Sequence, residues 1–251
     1  VSRVLAVGDV HLGAHNAAEG AFEDFLDQVY ADRSAVDQVV LLGDLWDLIR
    51  RDPADVRWET SGTVDRINRL ASGVPVTYVL GNHDANLGPI EDALSGVRFR
   101  DYYATEVDGT SVRFTHGNEF DRFQFDRVSR ALSGSGFQGD IDPTRGRKDL
   151  FVAKARDAVI GLRDSLGLAA DGGGPSYPRR ERRAHDHLED IPADKLVFGH
   201  THAPYVHHAN RVANPGSWKT TAPVHNTYLD IEAGDLELFR FHEDGPNDRL
   251  A

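Results

Sequence analysis

Val4-Leu5-Ala6-Val7-Gly8-Asp9-Val10-His11 opens the chain with four apolar residues, a glycine, and then a carboxylate and an imidazole two positions apart. The same layout returns further along. Val39-Val40-Leu41-Leu42 runs into Gly43-Asp44, and Val76-Thr77-Tyr78-Val79-Leu80 into Gly81-Asn82-His83-Asp84. Leu196-Val197-Phe198 runs into Gly199-His200-Thr201-His202. Between the first three runs, Phe22, Phe25, Leu26 and Val29, then Val64, Ile67, Leu70 and Ala71, recur at helical spacing. A β-α-β-α-β order predicts parallel strands joined by right-handed crossovers. Fully apolar strands predict a sheet covered on both faces. Ligands of open α/β sheets bind at the carboxyl ends of the strands, so the polar clusters are expected to converge.

Further on the pattern changes. Residues 102–107 and 111–115 flank Asp108-Gly109, a hairpin signal. The second of these strands ends in His116-Gly117. Residues 120–190 read as an inserted helical cap lobe, with a helix expected through Leu150, Val152, Ala153, Ala155, Val159, Ile160, Leu162 and Leu166 and a loop at Gly172-Gly173-Gly174-Pro175. Tyr228-Leu229-Asp230-Ile231 and Leu236-Glu237-Leu238-Phe239 predict a terminal hairpin. The whole chain, residues 1–251, is expected to form one domain with that lobe inside it.

Composition bounds the function. A chain of 251 residues with 40% hydrophobic residues can bury a sizeable core. It has no run of about 18 apolar residues and no signal-peptide layout at its start, so a cytoplasmic protein without a membrane span is expected. The absence of cysteine excludes disulfides and thiolate metal sites. The formal net charge is -12, with 29 Asp and only four Lys. Such a surface repels other polyanions, so nucleic acid is not the favoured partner. It is also similar to the Asp-rich, Lys-poor surfaces of proteins from extreme halophiles.

The polar clusters form a metal-ligand set. Asp9 and His11 leave a strand end two residues apart, and His200 and His202 repeat that spacing. Asp44 offers a carboxylate able to bridge two cations, Asn82 a neutral carbonyl oxygen, and His116 another imidazole. Nitrogen and oxygen ligands without sulfur suit Mn, Fe, Zn, Ni or Co better than Ca, which prefers oxygen alone. One Asp-x-His pair alone is more often surface than site. Five such pieces in this order, each after an apolar strand, carry the signal.

Taken together, Gly8-Asp9-Val10-His11, Gly43-Asp44-Leu45-Trp46-Asp47, Gly81-Asn82-His83-Asp84, His116-Gly117 and Gly199-His200-Thr201-His202 resemble the calcineurin-like metallophosphoesterase superfamily. The resemblance implies a four-layer α-β-β-α sandwich with a helical insertion and a centre of two divalent transition-metal ions, manganese foremost. It implies that Asp9, His11 and His202 hold one ion, Asn82, His116 and His200 the other, and that Asp44 bridges them. The expected chemistry is in-line attack by a metal-bridging hydroxide, with His83 protonating the leaving oxygen and Asp84 orienting His83. The Gly-Asp-Leu-Trp-Asp motif, the chain length and the insertion look like the UDP-2,3-diacylglucosamine pyrophosphatase branch. A small phosphorylated substrate, such as a nucleotide pyrophosphate, is therefore expected. Alternatives are a phosphodiesterase or nuclease of the DNA-repair type, or a non-catalytic scaffold. Arg179, Arg180, Arg182 and Arg183 form a positive island suited to a second phosphate, or else a solvated helix face. Ser217, in the turn Asn214-Pro215-Gly216-Ser217, is a further candidate for the pocket lining. His15, His185, His187, His207, His208, His225 and His242 read as surface or loop residues, and Trp46, Trp58 and Trp218 as packing.

Overall fold

The computed structural model describes residues 2–49, 51–84, 87–120, 177–207 and 209–251. Strand β1 (Arg3–Val7) lies beside β2 (Gln38–Leu41), then β3 (Val76–Val79), then β4 (Val97–Arg100), all parallel. On its other side β1 pairs antiparallel with β10 (Thr227–Glu232), which continues into β11 (Asp235–Arg240) and β12 (Asp248–Arg249). These seven strands form one sheet. A second sheet of five strands has the order β5 (Tyr102–Val107), β6 (Thr110–Thr115), β7 (Lys195–Phe198), β9 (Val212–Asn214) and β8 (Tyr205–Val206). Within it β6, β7 and β9 are parallel.

Alternation along β1 and β2 explains the layering, because successive side chains point to opposite faces. Leu5, Val7, Val39 and Leu41 face outward, onto helices α1 (Glu19–Ala31) and α3 (Ser61–Ala71), through Phe22, Phe25, Leu26, Val64, Ile67 and Leu70. Val4, Ala6, Val40 and Leu42 face inward and pack on Val112, Phe114, Val197 and Ala213 of the second sheet. The far side of that sheet, Leu196, Phe198 and Val212, is covered by Ala184 and Leu188 of helix α5 (Tyr177–Asp190). The result is the expected α-β-β-α sandwich. Both hairpins occur, each turning on two residues at positive φ, Asp108-Gly109 and Ala233-Gly234, as two-residue hairpin turns require.

Some elements were not legible in the sequence. Helix α2 (Pro53–Glu59) lacks an apolar stripe. It is set instead by the Asp52 carboxylate, which accepts from the Ala54 N–H at 2.8 Å, and by Pro53 in its first turn. Helix α4 (Pro89–Ala93) is a single short turn. β4 reads Val-Arg-Phe-Arg and β9 has three residues, so neither carries an apolar run. The helix expected around residues 150–166 lies outside the described residues. Within the expected lobe, α5 forms the fourth layer of the sandwich.

Candidate metal centre

The polar ends of β1, β2, β3, β6 and β7 meet where the two sheets face each other. The loops after β1 and β2 run side by side: the Asp9 N–H donates to the Gly43 carbonyl at 3.0 Å and the His11 N–H to the Asp44 carbonyl at 2.9 Å. The loop after β7 joins the loop after β1, since the His200 N–H donates to Asp9 Oδ2 at 2.8 Å. The loop after β3 joins Asp44 in the same way, the His83 N–H donating to Asp44 Oδ1 at 2.8 Å. Each carboxylate thus spends one oxygen on a neighbouring backbone and turns the other inward.

The backbone bends sharply to aim these side chains. Asp9, His11, Asp44, His200 and His202 have φ of 54°, 56°, 50°, 69° and 57°. They are five of the nine non-glycine residues with positive φ among the described residues. Such conformations cost energy and persist where the surroundings over-determine them, typically at functional sites. Two glycines make the approach possible. A Cβ on Gly81 would overlap the Asp44 carboxylate, and one on Gly199 would lie 2.6 Å from Asp9 Oδ2.

Two triads result. Asp9, His11 and His202 bring one ligand atom each within 4.8 Å of one another, and so do Asp44, His116 and His200. All six are buried. Asn82 joins the second triad, its Oδ1 lying 3.2 Å from His116 Nε2. Between the triads stands Asp44, whose Oδ2 is 3.2 Å from His116 Nε2 and 3.9 Å from His11 Nε2.

These donors fit cations. Asp9 Oδ1 is buried without a hydrogen-bond partner and faces His202 Nε2 at 3.3 Å. His11 Nε2 and His202 Nε2 lie 3.0 Å apart. His116 Nδ1 meets the Leu42 carbonyl at 3.0 Å, and a carbonyl only accepts, so Nδ1 carries a proton. In the neutral ring the Nε2 lone pair then faces two oxygens, those of Asp44 and Asn82. A ligating imidazole commonly has its other nitrogen fixed by a carbonyl in this way.

The electrostatics are those of imidazoles and carboxylates packed closely in a buried site. Burial would raise the Asp44 pKa, but the imidazoles of His116, His83 and His11 hold it well below the ordinary carboxylate value. Burial opposes protonation of His116, yet Asp44 overrides it and raises the His116 pKa well above its usual value. His11 is pushed well down, by burial first and then by His202 and His83.

His83 reaches the same pocket. Its ring packs edge-on against His11 with centroids 4.7 Å apart, and its Nε2 is 3.9 Å from Asp44 Oδ2. Asp84 was the expected orienting group, and the structure corrects this. Asp84 Oδ1 accepts from the Gly81 N–H at 2.7 Å, and Oδ2 accepts from the Leu45 N–H at 2.9 Å and from the Tyr78 hydroxyl. Its carboxyl faces backbone, and burial, together with the Asp44 charge, pushes its pKa up to about 6. The group that holds His83 is Asp47, whose Oδ1 lies 2.8 Å from His83 Nδ1. Asp47 stands in the quoted Gly-Asp-Leu-Trp-Asp motif, three residues after Asp44, and that position was the available signal.

The remaining candidates are placed as follows. Ser217 is fully buried, and its hydroxyl donates to the Asp9 carbonyl at 3.0 Å and accepts from the Lys219 N–H at 3.1 Å, so it braces the end of β1. On α5, Arg183 donates to the Phe120 carbonyl at 2.7 Å, Arg182 is exposed and Arg180 half-buried. The Arg179 side chain lies outside the described residues. No described helix is long and apolar enough to cross a membrane.

Comparison with known proteins agrees with this geometry. The profile of the calcineurin-like phosphoesterase family matches residues 2–204. UDP-2,3-diacylglucosamine hydrolase of Shewanella loihica is 25% identical over 221 residues, covering 84% of each chain. The protein of the same name from Bordetella pertussis is 25% identical over 219 residues, covering 79% of this chain and 76% of its own. Among solved structures, the phosphoesterase Yfce from E. coli superposes with a TM-score of 0.51 at 18% identity, over 99% of this chain and 97% of its own. A single mutant of Vps29 from Entamoeba histolytica gives 0.51 at 16% identity, over 99% and 98%. Likenesses at these identities establish the shared sandwich, and the profile match over most of the chain establishes more: the chain belongs to the calcineurin-like phosphoesterase family of metal-dependent hydrolases.

Proposed function

We propose that the chain hydrolyses phosphoester or nucleotide pyrophosphate bonds at a centre of two divalent transition-metal ions, manganese first among them. The observation that carries this reading is the position of Asp44 Oδ2, facing His116 of one triad and His11 of the other. Asp9, His11 and His202 would hold one ion, Asn82, His116 and His200 the second, with Asp44 shared. Two such ions, when bound, supply positive charge that clamps phosphate oxygens and makes a coordinated water acidic enough to attack phosphorus in line.

The chain's own groups do the rest. The Asp47 carboxylate accepts a hydrogen bond from His83 Nδ1–H and fixes the ring, leaving Nε2 toward the pocket. A proton on that nitrogen serves the departing oxygen. The relatives named UDP-2,3-diacylglucosamine hydrolase support a nucleotide pyrophosphate as substrate class. The arginines at the start of α5 would take its second phosphate.

The test is a substrate panel on the manganese-loaded chain. Phosphomonoesters, phosphodiesters and nucleotide diphosphate sugars are compared before and after chelation. Turnover of the pyrophosphate class, abolished by chelator and restored by Mn, is expected. Metal uptake without hydrolysis of any member would overturn the reading.

A further inference from the structure

The loop Gly199-His200-Thr201-His202 carries a ligand for each assigned ion, His202 for the first and His200 for the second, and its backbone is strained. The Thr201 N–H donates to the Gly199 carbonyl at 2.8 Å, which closes a three-residue turn with His200 at its centre. His200 has a φ of 69° there, and His202 follows at 57°. A turn of that hand is rare and strained. Such a conformation persists only where its surroundings over-determine it, so the loop needs a hold from outside.

Asn214 supplies that hold. Strand β9 runs parallel to β7 with Ala213 level with Val197, which brings Asn214 level with the end of β7. Its side-chain amide straddles His200. Nδ2 donates to the Gly199 carbonyl at 2.8 Å and to the Thr201 hydroxyl at 3.0 Å, the residues on either side. Oδ1 accepts from the Gly216 N–H at 2.8 Å. Both donors and the acceptor of this fully buried amide are therefore used. A Cβ on Gly216 would lie 2.8 Å from the Pro204 Cβ, so the turn also seats closely against the chain just past His202. Further along, the Ser217 hydroxyl and the Trp218 N–H donate to the Asp9 carbonyl at 3.0 Å and 3.2 Å. Residues 214–218 thus clamp the loop after β7 to the loop after β1.

We propose that Asn214 is a positioning residue of the metal centre, its amide gripping the backbone on either side of His200 and so setting His200 and His202, one ligand for each ion, at the same time. It acts through Gly199 and Thr201. The inference rests on the two-ion hydrolase reading and adds to it a residue outside the ligand set that governs both ions.

The probe is Mn²⁺, titrated calorimetrically into the metal-free full chain. Groups that orient metal ligands are typically worth about 10- to 100-fold in affinity, and Asn214→Leu is expected to weaken both ions by that factor. Thr201→Val, which removes one of the two acceptors, should weaken both by less, and Thr201→Ser, which keeps the hydroxyl, should bind as the unaltered chain does. Gln38→Ala gives the comparison for a merely structural loss. Gln38 bonds to Thr77 at 3.1 Å and to the Tyr103 hydroxyl at 3.0 Å, at the end of β2 away from Asp44. Its removal should lower the melting temperature and leave the affinity for Mn²⁺ unchanged. Unaltered affinity in Asn214→Leu overturns the inference, as does weakening of one ion alone or an equal weakening in Gln38→Ala. Should Asn214→Leu not fold, the Thr201 pair decides: equal affinity in Thr201→Val and Thr201→Ser overturns the inference. Weakened uptake of both ions in Asn214→Leu, beside an unaltered chain that binds two ions yet hydrolyses no phosphoester, would uphold the positioning role and remove the hydrolase reading instead.

Discussion

His83 Nδ1 lies 2.8 Å from Asp47 Oδ1, and this contact turns the other ring nitrogen toward Asp44. A ring held so is suited to general acid catalysis, worth ~10²–10⁴-fold in rate. His83→Ala should lose turnover within that range and keep its metal. The defect should shrink on nitrophenyl esters, whose leaving groups need little protonation. Asp47→Asn should show a smaller loss with the same dependence on leaving group. Steady-state rates across a leaving-group series check both, and an equal defect across the series would assign His83 to binding.

Asp84 ties two loops together, since its carboxyl receives the N–H groups of Gly81 and Leu45. Asp84→Ala would leave buried donors unsatisfied, each costing about 1–3 kcal/mol. The expected outcome is a marked drop in the urea midpoint. An unchanged midpoint would show that the loops hold without it.

The surface charge predicts a response to salt. Twenty-nine Asp residues on a chain of net charge -12 repel one another, and molar salt shortens the screening length to ~3 Å. The melting temperature should rise between low and molar KCl. A flat or falling curve would show that the composition is not a salt adaptation.

Much of the site was legible because Asp9, Asp44, Asn82 and His200 each follow an apolar run and a glycine, while His116 ends its strand just before one. That pattern places Asp9, Asp44, Asn82, His116 and His200 at strand ends. What the sequence did not reveal is the backbone that aims them. Positive φ at Asp9, His11, Asp44, His200 and His202 falls on residues that do not advertise it as glycine does. The partner of His83 was equally hidden. Asp84 is its chain neighbour, yet the carboxyl of Asp84 turns to backbone, and Asp47 arrives from another strand end. Strand β4 was missed because Arg98 and Arg100 alternate with Val97 and Phe99 and leave no continuous apolar run, and β9 because three residues show no period.

The arginines of α5 give a test of substrate choice. Arg183 already donates to the Phe120 carbonyl, which brings the start of α5 close to the loop that follows His116. Replacing Arg179, Arg180 and Arg182 should raise KM for nucleotide pyrophosphates and leave small esters and metal content nearly untouched. Equal kinetics on both substrate classes would return the island to a solvated helix face.

In the proposed function Asp44 joins two metal sites. Anomalous scattering from crystals grown with manganese tests it most directly. Two peaks per chain are predicted, one among Asp9, His11 and His202 and one among Asn82, His116 and His200, each in contact with Asp44. A single peak, or a pair of which one leaves Asp44 untouched, would contradict it.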